Sequence, residues 1–488
     1  MIELSTDAMK TPDTDEWWLK RLSVALAQRL PRLSELASWF EGDPPLAYPD
    51  KAGEGFQRVQ RLARLNLAEL IVNAVLYRMS PLAFRTGADG DENGDEEATR
   101  IWKDNRMKTT ANEILEWMLS LSESYGSVAQ QLRPDGTMRA VMRSEHPTQC
   151  ITEDDPDNPG YAIAALKIYR DDLTNSDVAV LYRRGTDGNM ATMRVCRHVG
   201  NSLLPGVRTN AVSRGWMIRA GSWKWEDEPE ELFGETIPIH KFPNRNGKAE
   251  FEKHIATLER INHTILQRMI IIAFQAFRQR AVKGVPNTDE DGKEIDYTDI
   301  FKADLGAIWL LPDIAEFWES QQSDLTPVLT SVKDDIIHLA VSSQTPLFSV
   351  VPDAANGSAE GAALQREGLL FKVDDCISRA DHAFAAMMAD AFLAEGDIDR
   401  SDVADIEVIW ASPRRSSLTE RAVSAVQAMA AGAPWRTTMS KFLELTPDEI
   451  AQAEKERMDD MMLQALMGQD PNNKVNSLPG TTDIAKLK

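Results

Sequence analysis

The sequence is short of the residues on which several common classes of protein depend. Its three cysteines, Cys150, Cys196 and Cys376, form no CxxC pair, so neither a disulfide framework nor a structural zinc site is predicted. The longest apolar stretch within the longest helical pattern runs only from Met269 to Phe274, far too short to cross a bilayer. The amino-terminal residues are acidic and polar, without the apolar core of a secretory signal, so we expect a protein that stays in the cytosol.

Basic residues are also in deficit. Lys and Arg number 54 against 76 Asp and Glu, which gives the 488-residue chain a formal net charge of −22. Because phosphate contacts need Lys and Arg, this balance argues against a protein that reads nucleic-acid sequence. Two explanations stay open: a surface charged for solubility, or a surface that lets a polyanion pass without sticking.

Signatures of catalysis are missing as well. The seven histidines form neither HxxxH nor HExxH, and no phosphate loop of the GxxxxGK[ST] or GxGxxG type occurs, so we predict no enzyme activity and no cofactor. The acidic run at 89–94 matches the start of a calcium loop, but Arg100 stands at the closing position, where its charge would repel a cation. An acidic surface turn without a metal is therefore expected. The segment GSAEG at 357–361 lacks the spacing of a nucleophile elbow and is better explained as a helix cap.

The sequence does contain helical patterning on a large scale. No Gly or Pro interrupts the pattern at 250–283, which predicts a helix roughly 50 Å long at about 1.5 Å per residue. A second very long helix is predicted at 360–394 and a medium one at 328–342, opened by Pro327. Further helices are predicted at 15–40, with a break or a helix start at Pro31, at 56–77, through Trp102, and at 110–126, 416–432 and 447–467.

Between 127 and 238 the hydrophobic period changes from helical to about 2, which predicts an antiparallel β region. Strands are predicted at 82–85, 138–143, 161–169, 178–183, 193–198, 217–220, 237–239, 307–311 and 406–410. The fold class is therefore α+β. Two very long helices and a medium one cannot easily bury their apolar faces on one another over such a span, so copies of the same chain are the natural partner.

Several short motifs occur in a fixed order. They are LAELIVN (67–73), PLAFR (81–85), WKDN (102–105), YGS (125–127), IPIHKFPN (237–244), RIN (260–262), TPL (345–347) and NGSAEGA (356–362). Over about 66–410, this order and spacing resemble the portal proteins of long-tailed, siphophage-type double-stranded DNA bacteriophages, in the branch common in phages of Gram-positive hosts.

The resemblance implies a portal fold and a ring of about twelve copies at one capsid vertex, the channel for DNA packaging and ejection. It implies the following parts: wing 1–249, stem helix 250–283, clip 284–326, second stem helix 327–343, tunnel loop 344–359, long wing helix and returning strand 360–415, crown 416–467, and a disordered tail 468–488. The implied partners are other copies of the chain, double-stranded DNA, the terminase large subunit, scaffolding protein, major capsid protein and a head-completion or adaptor protein, with no membrane. The implied location is the virion, after assembly in the host cytoplasm.

The resemblance also points to three groups of candidate site residues. The tunnel loop offers Thr345, Pro346, Leu347, Phe348, Val350, Val351 and Asn356. The stem offers charges that face the channel or a neighbouring subunit: Lys253, Arg260, Arg268, Arg278, Lys333, Asp334 and Asp335. The clip offers Asp289, Glu290, Asp291, Lys293 and Tyr297 for docking. Since 344–358 holds no Lys or Arg, we expect apolar rather than electrostatic contact with DNA in the tunnel loop.

Three alternatives remain open at this stage. The basic residues of the long helix are explained equally well by ion pairs along a solvated helix face. The whole protein could instead be a soluble metal-dependent hydrolase that uses the acidic residues at 89–97. It could also be a ring-forming scaffold that never contacts DNA.

Overall fold

The computed structural model describes residues 2–48, 53–88, 94–186, 188–200, 202, 218–276, 280–284, 288, 293–294, 316–319, 324–346, 359–414, 418–445 and 447–468. The chain is 50% helical and 20% strand, which confirms a mixed α and β composition. It divides into two compact units: Met1–Leu30, Val75–Gly247 and Leu370–Lys488 form the first, and Pro31–Ala74 with Lys248–Leu369 form the second.

The elements follow one another along the chain without long repeats. The helices are α1 (Asp15–Phe40), α2 (Glu54–Leu62), α3 (Ala68–Leu76), α4 (Glu96–Asp104), α5 (Met107–Leu121), α6 (Ile255–Ala276), α7 (Thr326–Ser342), α8 (Ala359–Glu395), α9 (Leu418–Ala430), α10 (Trp435–Lys441) and α11 (Pro447–Gly468). The strands are β1 (Ile2–Glu3), β2 (Pro81–Arg85), β3 (Glu123–Leu132), β4 (Met138–Glu145), β5 (Cys150–Asp154), β6 (Ala162–Asp171), β7 (Ser176–Arg183), β8 (Thr192–Val199), β9 (Lys224–Trp225), β10 (Glu230–Glu231), β11 (Ile239–Pro243), β12 (Arg280–Lys283), β13 (Glu316–Glu319) and β14 (Glu407–Trp410).

The larger sheet of the first unit is antiparallel, in the order β1-β9-β8-β7-β6-β5, with β10 paired to β8. Helix α1 covers it with Trp18, Leu19, Leu22 and Leu26, which recur at helical spacing and are buried. They share one apolar core with sheet residues such as Leu166. Amphipathic patterning of α1 therefore decides which of its faces meets the sheet.

A smaller sheet, β11-β3-β4, lies in the same unit. Its neighbours form an aromatic cluster around Phe384 of α8, whose ring centroid lies 4.7 Å from Phe242, 5.9 Å from Trp102 and 5.9 Å from Trp410. Trp410 belongs to β14, which pairs antiparallel with β2 although the two strands are far apart in sequence. Helix α8 thus contacts aromatic side chains from three distant parts of the chain, on β11, α4 and β14.

Arg29 of α1 joins the helix to both sheets. Its guanidinium donates to the Glu123 carboxylate, to the Tyr125 hydroxyl at 3.1 Å, and to the main-chain oxygens of Pro147 and Cys150. Burial raises the pKa of Glu123, but the charges of Arg29 and Lys241 outweigh it, so the net shift is downward.

Asp95 is a second charged residue that joins separate elements of the first unit. Its buried carboxylate accepts from the Ala98 amide at 2.9 Å as the N-cap of α4, from the Thr86 hydroxyl at 2.6 Å, and from the Arg400 guanidinium at 2.8 Å. Burial raises its pKa, yet the hydrogen bonds from Thr86, Ala98 and Arg400 bring the net value below the ordinary one. The carboxylate ties β2 and α4 to the chain that follows α8.

Several predicted boundaries are wrong. The helix predicted at 56–77 is two helices, because Asn66 donates to the Phe40 carbonyl at 2.9 Å and accepts from the Glu69 amide at 3.3 Å, which ends one helix and caps the next. The helix predicted at 110–126 ends at Leu121, since Ser122 adopts a left-handed φ of 77° and β3 follows. Helix α1 continues through Pro31 without a break.

The longest predicted helix is also shorter than expected. Helix α6 covers 22 residues, or about 33 Å at 1.5 Å per residue, instead of roughly 50 Å. A 3-10 turn at Glu252–His254 precedes it, and β12 takes over the end by pairing antiparallel with β13. Cross-strand pairing, which lies outside any local helical pattern, decides this boundary.

The strand pattern was only partly predictable. Strands β2, β4, β6, β7, β8 and β14 confirm predictions within a few residues, whereas β1, β3, β5, β9, β10, β12 and β13 were not predicted, nor was α10. The strand predicted at 237–239 is displaced to Ile239–Pro243. At 217–220, Ala220 forms an isolated bridge with Trp223, and the strand predicted at 307–311 lies outside the described residues.

Gly126, from the YGS motif, has a steric reason to lack a side chain. A Cβ there would fall inside van der Waals contact of the Met387 sulfur and 3.2 Å from the Phe242 ring. We predict that Gly126→Ala lowers the free energy of unfolding by about 1–3 kcal/mol through overpacking, measured by urea denaturation. Gly55→Ala is the control, since nothing lies within 4 Å of a Cβ at Gly55. If Gly126→Ala costs as much stability in a Met387→Ala background as in the wild type, this explanation is wrong.

Candidate functional site

Helices α6 and α7 pack against each other in the second unit. Helix α6 buries Leu258, Ile261, Ile265 and Leu266, which recur at helical spacing along one face. Helix α7 contributes the buried residues Val332, Leu339 and Ala340. The packed helix pair is the element to which the sequence assigns most of the candidate charges.

An ion pair joins the two helices across their surface. The Arg260 guanidinium donates two hydrogen bonds to the Asp335 carboxylate, from Nε at 3.0 Å and from Nη2 at 2.8 Å. The hydrogen bond and charge of Asp335 raise the pKa of Arg260. Because Arg260 is 55% exposed, the bidentate geometry orients α7 against α6 more than it stabilises the pair.

Polar anchors attach α6 to the rest of its unit. The Asn262 side-chain oxygen accepts from the Leu65 amide at 2.9 Å, in the bend between α2 and α3. At the start of α6, Arg32 holds the Glu252 carboxylate through two hydrogen bonds of 2.9 and 2.7 Å. The three residues of the RIN motif thus have different roles. Arg260 pairs with Asp335 of α7, Ile261 is buried, and Asn262 binds the bend between α2 and α3.

The remaining predicted stem charges are not brought together. Lys253, Lys333 and Asp334 are exposed, and Arg268 is half-buried. Arg278 lies outside the described residues. Within the described residues, one ion pair forms between two of the predicted stem charges: Arg260 and Asp335 pair within a single chain.

The start of the predicted tunnel loop is ordered by its own hydrogen bonds. Thr345 and Pro346 are buried, the Thr345 amide donates to the Ala340 carbonyl at 2.9 Å, and the Ser343 and Thr345 hydroxyls are 2.9 Å apart. Gln344 takes a left-handed φ of 57°, which turns the chain away from α7. The candidates Leu347, Phe348, Val350, Val351 and Asn356 lie outside the described residues.

The predicted clip is bracketed by a two-stranded ladder. Strands β12 and β13 pair in antiparallel register, from Arg280 opposite Glu319 to Lys283 opposite Glu316. Within the insert, Thr288 and Glu294 form an isolated antiparallel bridge, and Lys293 is exposed. Asp289, Glu290, Asp291 and Tyr297 lie outside the described residues.

Sequence reasoning missed the anchors Arg32 and Glu252. They are 220 positions apart, and no local pattern links them. Asn262 was visible within the RIN motif, but its role could not be assigned because its partner is a main-chain amide in another segment. Side chains that bind main-chain groups leave no signature at the partner's position.

The geometry gives no support to a metal centre in the described part of the chain. No group of three or more His, Cys, Asp or Glu side chains there could hold a metal ion. Arg100, at the closing position of the calcium-like run, donates to Glu97, Asp104 and Glu395. No described helix is long and apolar enough to span a bilayer.

Comparison with known proteins decides the family. The profile described as "Phage portal protein, SPP1 Gp6-like" matches residues 19–462. The chain belongs to this family. It is a phage portal protein, and the packaging and ejection of the viral genome follow from that membership. The family is structural rather than enzymatic, and neither the hydrolase nor the DNA-free scaffold is supported.

Solved structures of low similarity also match this portal protein. One is a chain from the "Neck of native GTA particle computed with C12 symmetry", with 11% identity, a TM-score of 0.38, and coverage of 84% of this chain and 98% of that chain. Another is from the "Neck of empty GTA particle computed with C6 symmetry", with 12% identity, a TM-score of 0.42, and coverage of 82% and 94%. No curated protein matches in sequence. At such TM-scores the assignment rests on the family profile alone.

The Asn262 anchor can be tested by hydrogen exchange. We predict that Asn262→Ala speeds exchange of the Leu65 amide by roughly fivefold, because losing one hydrogen bond costs about 1 kcal/mol. Asn262→Asp is the matched control, since it keeps an acceptor oxygen at the same position. Equal exchange rates at Leu65 in the wild type and in Asn262→Ala would show that this hydrogen bond does not protect the Leu65 amide in solution.

Proposed function

We propose that this portal protein assembles into a ring of about twelve copies at one capsid vertex and that double-stranded DNA passes through its centre. Family membership supports a homo-oligomeric ring. The observation that carries the proposal is the apolar surface that the α6–α7 pair leaves exposed. Ile272 is 47% exposed, Leu329 45% and Val341 65%.

Two helices can bury only the faces that they turn towards each other. Apolar side chains outside that contact remain in water unless another copy covers them, and each fully buried one would contribute about 1.5–3 kcal/mol. A ring supplies the same cover to every copy, because each helix pair lies between two identical neighbours. In the proposed ring, the exposed apolar residues of α6 and α7 would therefore form the contacts between neighbouring copies.

The charge balance fits a channel through which DNA slides. A chain of net charge −22 has little general affinity for phosphates. Exposed cations such as Lys253 and Lys333 would form sparse basic rings that guide the duplex, while the neighbouring Asp334 keeps the local attraction weak. The Arg260–Asp335 pair sets the angle between the two helices that carry these charges.

The parts of the proposed portal follow the elements. Helices α6 and α7 are the stem, the insert that β12 and β13 bracket is the clip, and the segment after Pro346 is the tunnel loop. The two sheets with α1 and α8 form the wing, and α9, α10 and α11 form the crown. The clip would dock the terminase large subunit and later the head-completion or adaptor protein, while scaffolding protein and major capsid protein would hold the ring at its vertex. Assembly would take place in the host cytoplasm, and the finished ring would lie in the virion.

Electron microscopy of the purified protein tests the ring. We predict rings with a central hole wide enough for duplex DNA, and their loss in Ile265→Pro, because Pro in the interior of α6 removes a hydrogen bond and costs about 3 kcal/mol or more. Ile265→Leu, which preserves both the helix and the apolar contact, should still form rings. A monomer on a sizing column with metal-dependent turnover would contradict the proposal and favour the hydrolase.

The clip is tested separately by deleting residues 288–294. This deletion removes the Thr288–Glu294 bridge and the acidic cluster while leaving α6, α7 and the β12–β13 ladder in place. We predict intact rings by electron microscopy but no binding of the terminase large subunit in pull-down and no DNA packaging in vitro. Normal packaging by the deleted protein would refute the clip assignment without affecting the ring.

A further inference from the structure

An apolar groove of about 750 Å³ lies beside β2 in the first unit, with α4 and α5 as its walls. Met79, Phe84 and Leu115 line its floor and are at most 2% exposed. Trp102 of α4 packs on Phe84 with ring centroids 5.0 Å apart. A groove of this size and lining can bind apolar side chains.

The rim of this groove is basic. Lys103, Arg106 and Lys108 line the groove and are exposed. None of the described residues that line it is acidic, although the chain carries a net charge of −22. Such a groove favours a partner that brings an apolar anchor and a carboxylate together.

The hairpin of β6 and β7 presents this combination at its apex. Leu173 is 99% exposed, and the side chain of the preceding Asp172 is 94% exposed. The Asp172 carboxylate lies 3.7 Å from Nε of Arg170, which is a weak surface pair. Val199, at the end of the adjacent strand β8, is 62% exposed at the same end of the sheet. The apex therefore combines apolar side chains with an accessible carboxylate.

Hydrogen bonds hold this apex in one conformation. The Asp171 carboxylate accepts from the Leu173 amide at 3.0 Å and from the Thr174 hydroxyl at 2.6 Å. Arg197 of β8 donates to the same carboxylate at 3.4 Å and to the Ser176 hydroxyl at 3.1 Å. A segment that is already ordered loses less conformational entropy when it docks, so Leu173 is a preorganised anchor.

The apex lies far from the groove of its own chain. Strand β6 begins beside α8, where the Tyr161 ring lies 6.2 Å from the His382 ring, and its ten residues span about 33 Å. The groove lies near the same part of α8, since the Trp102 ring centroid is 5.9 Å from that of Phe384. Apex and groove are therefore at different places on the first unit, and only another copy can bring them together.

We propose that the groove of one copy receives the β6–β7 apex of an adjacent copy. Leu173 would pack on the apolar floor, and the Asp172 carboxylate would meet the basic rim. Groove and apex are different surfaces of the same chain, so the contact is heterologous and joins copies head to tail, as a closed ring requires. This inference rests on the proposed ring and assigns one of its lateral contacts.

Cross-linking between two singly substituted chains tests the contact. Asn112→Cys lies at the groove and Thr174→Cys at the apex, while the native cysteines are buried and therefore unreactive. In rings assembled from an equal mixture of the two chains, a short bismaleimide should yield covalent dimers. Thr137→Cys is the matched control for Thr174→Cys, because the Thr137 hydroxyl also donates to an aspartate, Asp135, in an exposed hairpin turn. Its mixture with Asn112→Cys should yield no dimers.

Substitutions at the apex and at the rim give a second readout. Leu173→Ala, added to the Thr174→Cys chain, should lower the dimer yield roughly tenfold by removing the apolar anchor. Leu173→Met should preserve the yield, because Met keeps an apolar side chain of similar volume. Lys108→Glu in the groove chain and Asp172→Lys in the apex chain should each lower the yield by roughly fivefold, and the two together, one in each chain, should restore it.

The outcomes separate this contact from the ring itself. Rings that yield no more dimers than the Thr137→Cys control, or dimers unaffected by Leu173→Ala, would overturn the proposal while leaving the portal assignment intact. Rings without dimers, in which added scaffolding protein protects the Asn112→Cys thiol from maleimide, would overturn it and assign the groove to that partner. Monomers alone would overturn both the ring and this contact.

Discussion

The buried guanidinium of Arg29 is the interaction on which the first unit depends. Removing such a charge from water costs several kcal/mol unless it is paired. Both terminal nitrogens of Arg29 donate to acceptors held by the sheets, whereas its Nε has no hydrogen-bond partner among the described residues. The acceptors come from β3, from the turn before β5 and from β5 itself, which locks α1 against both sheets. Burial and the charge of Arg29 lower the pKa of His146 to about 4, so this imidazole is neutral at physiological pH and adds no second positive charge.

The second unit follows a different principle. Its helix pair is held by polar anchors at the surface, the Arg260–Asp335 pair and the Asn262–Leu65 hydrogen bond, while apolar residues such as Leu329 and Val341 stay in water. Exposed ion pairs contribute little to stability, so these anchors specify geometry. Buried side chains such as Ile261 of α6 and Leu339 of α7 supply the apolar contact between the two helices. The exposed methionines of α11, Met458, Met461 and Met462, repeat this pattern in the first unit. Both units present surfaces that a single chain leaves uncovered.

Local patterning predicted the elements whose faces are decided by their own sequence. Helices α1, α7 and α8 and strands such as β7 and β14 appear where their apolar spacing places them, because burial of a periodic face needs no knowledge of the partner. Elements ended by distant groups were mispredicted. The helix predicted at 56–77 is interrupted where Asn66 donates to the Phe40 carbonyl. The helix predicted at 250–283 ends early because Arg280–Lys283 pair with β13 as a strand. The candidate site divides in the same way: the RIN motif was visible, but its partners Asp335 and Leu65 were not.

The sequence by itself determined the mixed α and β composition, the long helix α8, the acidic balance and, through the order of its motifs, the portal family. Each of these properties follows from the spacing of apolar residues, the order of motifs or the number of charged residues, and none requires knowledge of long-range contacts. Only the tertiary structure decided where α6 ends, that a side chain at Gly126 would collide with Met387, and that Arg260 and Asp335 pair with each other within one chain. Each of these features depends on atoms from distant parts of the chain. Packing and hydrogen bonds between those parts decide the outcome, and neither can be predicted from the local sequence.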